Sequence, residues 1–138
     1  MSMKKRAIQI SINAIYESLT YNSRVGACVY TSYGCYRGFN IETVVHKSYH
    51  AEEIALINTM LCKTNPKDII GIVICYEFNN GVPNSIYPPC AVCRQYLWEF
   101  GNPDMIVTTV NKDGEIICEE KLKDLYPMPY PREKIKHL

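Results

Sequence analysis

The sequence predicts an α/β fold: one β-sheet with helices on both of its faces. Two observations carry that prediction. Segments with apolar residues at helical spacing alternate along the chain with short β-branched runs. Alternation of this kind buries every apolar face when helices pack on both sides of one sheet. The size agrees, because 138 residues, 47% of them hydrophobic and 21% charged, suit a soluble domain with one core.

Each element is justified in turn by its pattern. Lys4 to Leu19 places Ile8, Ile12, Ile15 and Leu19 at helical spacing, so an amphipathic helix opens the chain. Val25 to Thr31 and Cys35 to Phe39 are β-rich and separated by Ser32-Tyr33-Gly34, which predicts a hairpin. His50 to Cys62 carries Ile54, Ile57 and Leu61 and reads as a second helix. Asp68 to Phe78, rich in Ile and Val and ended by Asn79-Asn80-Gly81, reads as a buried central strand. Cys90 to Phe100 sets Cys93, Leu97 and Phe100 on one helical face. Met105 to Val110 is a strand, turned by Asn111-Lys112-Asp113-Gly114 into a short one at Glu115 to Cys118. Leu122 and Leu125 suggest a last short helix, stopped at Pro127. The order is α-β-β-α-β-α-β-β-α with no repeat and no linker, so residues 1–138 are expected to form a single domain. The Pro/Tyr-rich tail from Pro127 to Leu138 is expected either to be disordered or to pack on a neighbouring subunit.

Charge and cysteine usage narrow the function classes. Net charge is +1 with the basic residues dispersed, which argues against a protein that grips a nucleic-acid backbone. Lys4-Lys5-Arg6 and Arg132 to Lys136 read as solvated termini. The longest apolar stretch, Ile69 to Cys75, is interrupted by Gly71 and is too short to span a bilayer. No small-residue cleavage site follows the basic N-terminus, so a cytoplasmic protein is expected, with neither a membrane nor a nucleic acid as partner. Seven cysteines is an odd number for a disulfide framework. Cys28, Cys35, Cys62, Cys75 and Cys118 sit singly in apolar segments and read as small buried hydrophobes. Cys90 and Cys93 do not fit that pattern.

Two segments carry chemistry: His50-Ala51-Glu52 and Pro89-Cys90-Ala91-Val92-Cys93. Each opens a predicted helix, so their side chains can converge at neighbouring helix N-termini on one end of the sheet. A catalytic zinc site takes three thiolate or imidazole ligands and leaves one position for water. Cys90 and Cys93, three apart in a first helical turn, suit thiolate ligation, and His50 supplies a third ligand. Glu52 then stands beside the metal as general base, where zinc brings the pKa of water towards neutrality. One zinc ion per subunit is the expected cofactor. The competing reading is a closed structural zinc site, with His46 or Cys62 as the fourth ligand; it has no use for Glu52.

His-x-Glu followed by Pro-Cys-x-x-Cys is the motif pair of zinc-dependent nucleobase deaminases, and from about Tyr21 to Pro127 the chain resembles the cytidine deaminase family. Val25-Gly26-Ala27 resembles the family's first strand, Gly38-Phe39-Asn40-Ile41-Glu42 its Asn-x-Glu segment, and Pro89 to Gln95 its Pro-Cys-x-x-Cys-Arg-Gln block. The Arg94-Gln95 continuation separates this resemblance from tRNA adenosine and deoxycytidylate deaminases. It implies a three-layer α/β/α sandwich around a five-stranded mixed sheet. It also implies attack of water at C4 of the cytosine of cytidine or deoxycytidine, with Glu52 moving protons to N3 and to the departing ammonia. Asn40 and Glu42 would hydrogen-bond the sugar, and the Ala51 N–H would meet the base carbonyl. A homo-oligomer, with a tetramer favoured, is implied by analogy.

Two departures from the family pattern bear on the substrate. Short members generally use three cysteines and follow the catalytic Glu with Arg, whereas here the first ligand is His50 and Glu53 follows. Zinc with two thiolates and a neutral imidazole carries no net charge and needs no arginine, so Glu53→Arg is expected to be tolerated or mildly inhibitory. The family's phenylalanine ahead of Val-Gly-Ala is replaced by Ser23-Arg24. Base stacking is then expected from Tyr21, Arg24, or a neighbour's Tyr126 or Tyr130. The alternatives are a deaminase of another small cytosine nucleoside of the blasticidin S kind, a nucleic-acid editing deaminase, and a non-catalytic zinc-stabilised module.

Overall fold

A computed structural model of the protein describes residues 1–77 and 88–135. The expected end of the central strand at Phe78, the Asn79-Asn80-Gly81 turn and Lys136 lie outside them. Helix α1 (Met3–Ala14) is capped by Ser2, whose side chain accepts from the N–H of Lys5, and runs into a 3-10 turn at Ile15–Glu17. Strands β1 (Val25–Tyr30) and β2 (Cys35–Phe39) form the expected hairpin. Its turn is built by Thr31 Oγ1, which accepts from the N–H groups of Tyr33 and Gly34.

Two elements are absent from the sequence reading: β3 (Ile41–Glu42) and β4 (Ser48–Tyr49), an antiparallel pair of two residues each. Helix α2 (Ala51–Leu61) follows at once, with His50 as its N-cap. Strand β5 (Gly71–Tyr76) starts later than expected, because Pro66–Asp68 form a 3-10 turn. Helix α3 (Ala91–Phe100) has Cys90 as N-cap. Strands β6 (Ile106–Val110) and β7 (Ile116–Lys121) and the one-turn helix α4 (Leu122–Leu125) complete the order.

The main sheet has five strands in the order β2-β1-β5-β6-β7. β5 and β6 are parallel and the other neighbours antiparallel, so the sheet is mixed as expected. A parallel pair needs a crossover, and α3 lies in it. Side chains of β1 and β5 alternate between two cores. Ala27, Val29, Ile72 and Ile74 pack with Ala51, Ala55 and Leu56 of α2 and Leu97 of α3. Cys28, Tyr30, Val73 and Cys75 pack under α1 with Ala7. The result is three layers, α1 on one face and α2 with α3 on the other.

One glycine decides where α2 sits. A Cβ on Gly38 would lie 2.3 Å from the Ala51 carbonyl oxygen and 2.3 Å from the Ala55 nitrogen. The first turn of α2 therefore rests directly on the β2 backbone. That contact fixes the helix end carrying His50 and Glu52 against the end of the sheet.

Candidate active site

Several pieces of chain meet at one end of the sheet: the start of β1, the residue after β2, the β3–β4 pair, the end of β5 and the N-termini of α2 and α3. The register makes the meeting compulsory, since Val25 pairs with Tyr76 and Gly26 pairs with both Phe39 and Cys75. A cavity of about 270 Å³ opens there, lined by Val25, Asn40, Glu42, Ser48, Tyr49, His50, Ala51, Glu52, Tyr76 and Cys90. All of the expected site residues line it except Cys93, which is buried beneath and 1% exposed.

The two helix starts bring the donor atoms together. An N-cap side chain and the side chain three residues on project over the same turn, which places Cys90 and Cys93 side by side at the start of α3. His50 Nδ1 lies 3.3 Å from Cys90 Sγ and 3.2 Å from Cys93 Sγ. Zinc bonds of about 2.0 Å to nitrogen and 2.3 Å to sulfur, at tetrahedral angles, separate N and S by about 3.5 Å, so the trio is near the spacing a metal needs. Among the described residues these three form a metal-capable group, all of its donor atoms within 4.8 Å of one another. His46 and Cys62 do not join it. His46 lines a neighbouring cavity, and Cys62 caps the far end of α2, about 18 Å along the helix from His50.

Glu52 is 5% exposed, and Cys93 Sγ donates to its Oε2 at 3.1 Å. Burial raises the Glu52 carboxyl above the ordinary carboxylate range. Burial, then Glu52, then Cys90 push the Cys93 thiol far up. Tyr76 is raised in the same way, by burial first and then by Glu52. Two thiols, an imidazole and a carboxyl brought together in this way are the surroundings that a divalent cation stabilises by drawing the thiols to thiolate.

Asn40 and Glu42 act on the loop opposite. Asn40 Oδ1 accepts from the Val25 N–H at 2.9 Å and from the Ser18 hydroxyl, while Nδ2 donates to the Ser23 carbonyl at 2.9 Å. Glu42 accepts from the Thr20 hydroxyl, from the Tyr21 N–H at 3.1 Å and from Asn22 Nδ2 at 3.2 Å. The Thr20 bond leads in lowering the Glu42 carboxyl below its usual range.

The model of the cytidine and deoxycytidylate deaminase zinc-binding region matches residues 1–109. The chain belongs to this deaminase family. It is an enzyme, a hydrolase acting on C–N bonds, with a zinc-binding domain and a His-Cys-Cys cluster whose spacing is consistent with one zinc ion. Cytidine deaminase from Burkholderia pseudomallei has a TM-score of 0.80 at 25% identity, over 91% of this chain and 98% of its own. Cytidine deaminase from Mycobacterium tuberculosis has a TM-score of 0.74 at 19% identity, over 93% and 97%. The dCMP deaminase of cyanophage S-TIM5 has a TM-score of 0.53 at 18% identity, over 80% and 85%. These last two share the fold. No curated protein matches the chain.

Several residues of the deaminase were not foreseen. Tyr76 comes from β5 and reaches the cavity through its pairing with Val25, a long-range register that local spacing does not encode. Ser48 and Tyr49 reach it through β4, too short to show a period. Arg24, expected as one stacking candidate, instead makes a two-point bond to Glu77, with its Nε 2.9 Å from Oε1, and lies over the Tyr16 ring. Tyr126 donates to Gln95 Oε1 and packs edge-on against Trp98. Arg94 of the motif ties the start of α3 to α4, donating to the Pro89 and Leu125 carbonyls at 2.7 Å each.

Proposed function

We propose that the protein hydrolyses cytidine and deoxycytidine to uridine or deoxyuridine and ammonia, with one zinc ion per subunit held by His50, Cys90 and Cys93. The observation that carries this reading is the convergence of those three donors beside a buried carboxyl that stands outside the donor set. Bound zinc supplies a hydroxide-like nucleophile from water at neutral pH. Glu52 Oε2 would take one proton of the attacking water and pass it to N3 of the cytosine, then take the second from the hydroxyl added at C4 and pass it to the departing amine. The oxygen of water joins C4, the C4–N4 bond breaks and ammonia leaves. A carboxyl raised by burial suits this work, because it must both accept and release a proton near neutrality.

The remaining residues hold the substrate. The Ala51 N–H, in the first turn of α2, faces the base carbonyl, where the helix dipole favours a partial negative charge. Asn40 and Glu42 bond the sugar hydroxyls with the capacity their loop bonds leave over. Nδ2 has a second hydrogen, and Glu42 Oε1 has a second lone pair. Tyr49 and Tyr76 are the aromatic residues lining the cavity among those described, and they supply the faces a flat base requires.

A nucleoside fits better than a nucleotide. Among the described residues no Lys or Arg lines this cavity or the one that adjoins it, while the Glu42 carboxylate lines both. A sugar phosphate would meet the Glu42 carboxylate with no Lys or Arg among the described lining residues to offset it. Turnover of dCMP is therefore expected to be at least about tenfold poorer in kcat/KM than that of deoxycytidine. A second reading, a larger cytosine nucleoside of the blasticidin S kind, is favoured by the adjoining cavity of about 380 Å³, which shares Glu42 and Ser48. We read residues 1–138 as one deaminase domain in a cytoplasmic homo-oligomer, a tetramer favoured. The seven free cysteines suit a reducing compartment. Exposed Leu61 of α2 and Val92 of α3 suit contact with a second copy, which light scattering tests.

Ultraviolet-monitored deamination of cytidine, deoxycytidine, dCMP and blasticidin S by the zinc-loaded protein tests the reading, with Glu52→Gln as control. Nucleoside turnover that disappears in the control while zinc is retained is the expected result. Zinc-loaded protein inert towards both plain nucleosides would overturn it, and turnover of blasticidin S alone would install the second reading.

A further inference from the structure

Helix α2 begins in an unusual way for a residue of its kind. His50 is the N-cap, in extended backbone conformation with φ −77° and ψ 153°. Ser, Thr, Asp and Asn are the residues that cap well, because a short side-chain oxygen folds back to accept from the first free N–H groups. His50 has no such oxygen, and its ring directs Nδ1 at the sulfurs of Cys90 and Cys93. The side-chain hydrogen bond at this terminus comes instead from the third helical residue: Glu53 reaches back, and its Oε2 accepts from the His50 backbone N–H at 3.4 Å. This is the returning half of a capping box.

We propose that Glu53 is a positioning residue for the zinc ligand His50. Its carboxylate fixes the His50 backbone at the helix start and so presets the imidazole towards Cys90 and Cys93. The inference rests on His50, Cys90 and Cys93 being the zinc ligands, and it gives a second meaning to the acidic residue that follows Glu52. The electrostatic account from the sequence, in which a neutral site merely has no need of Arg, predicts that the residue at 53 matters little. A bond from Glu53 to the ligand's own backbone predicts the opposite. It further predicts that an acceptor is needed there and a negative charge is not, because Gln in a capping box bonds the N-cap N–H as Glu does.

The experiment measures zinc affinity by competition with a chromophoric chelator for the full chain and for Glu53→Gln, Glu53→Ala and Glu53→Arg. Urea unfolding of each chain in excess chelator runs alongside. Residues that orient a metal ligand typically change metal affinity by about 10- to 100-fold. Glu53→Ala and Glu53→Arg are expected to bind zinc about tenfold more weakly, and Glu53→Gln within about threefold of the parent. Equal weakening in Glu53→Gln and Glu53→Ala would overturn the proposal in favour of charge. Parental affinity in Glu53→Ala would also overturn it, and if the metal-free chain were destabilised as well, the bond would be a helix cap alone. Failure of the parent chain to bind zinc, or binding unaffected by Cys90→Ser, would instead bring down the ligand assignment itself.

Discussion

The residues of the site divide into those that do chemistry and those that hold the frame, and substitution should separate them. If Glu52 is the proton carrier proposed above, Glu52→Gln removes it and leaves the proposed metal donors, so a rate loss of about 10²- to 10⁴-fold with zinc retained is expected. Metal content and turnover measured on the same sample check it. Arg24 and Glu77 belong to the frame. The hydrogen bond from Arg24 leads in holding the Glu77 carboxyl below its ordinary value of 4.5. A carboxyl depressed on folding stabilises the fold above that ordinary value, and the contribution is lost as pH falls through the lower folded value. Arg24→Met should therefore lower stability at neutral pH and flatten its decline on acidification below about pH 4.5. Urea midpoints across that range would contradict this if both chains lost the same stability. The residues proposed for the chemistry stand out in the sequence because their spacing is local: His50 and Glu52 share one helix start, and Cys90 and Cys93 share another. The bond from Arg24 to Glu77 spans 53 positions, and nothing in either residue's neighbourhood announces it.

At the scale of elements, the placing of α2 rests on Gly38. Any side chain there meets the backbone oxygen of Ala51 and the backbone nitrogen of Ala55 at 2.3 Å, and backbone cannot swing aside as a flexible side chain can. Relief requires α2 to rise from β2, carrying His50 and Glu52 with it. Gly38→Ala is expected to cost about 1–3 kcal/mol by urea unfolding, the range of an overpacked core, and to weaken zinc binding in parallel. Lost stability with unchanged zinc affinity would show that the helix end finds its place by other means. The long elements were foreseen because they repeat: α3 sets Cys93 and Leu97 inward at helical spacing, and β5 is buried along its length. The pair β3 and β4 was not foreseen, since two residues cannot display a period of two. Yet that pair joins the Asn40 and Glu42 segment to the stretch entering His50, with Ile41 opposite Tyr49 and Glu42 opposite Ser48. Sequence separates what would hold the sugar from what would hold the metal; a two-residue ladder puts them side by side.

Across the whole molecule, the three layers leave α2 and α3 on the same face, each packed on the sheet through its own apolar stripe. At their N-termini, the exposed Cys90 and half-buried His50 face each other over buried Cys93, and no apolar contact can pull such polar groups together. A metal bound there joins the two helix starts by bonds, so its free energy adds to folding wherever the unfolded chain binds it less well. At free zinc about 100-fold above the dissociation constant the gain is about 2.7 kcal/mol, set by concentration rather than by any contact in the core. Midpoints of thermal unfolding should therefore rise with the logarithm of free zinc in the parent chain and fall to a floor in excess chelator. Cys90→Ser, which removes an exposed proposed ligand and no core volume, should sit near that floor at every zinc concentration. A variant that keeps the parent's zinc dependence would mean that the metal stabilises the fold from somewhere other than the junction of α2 and α3.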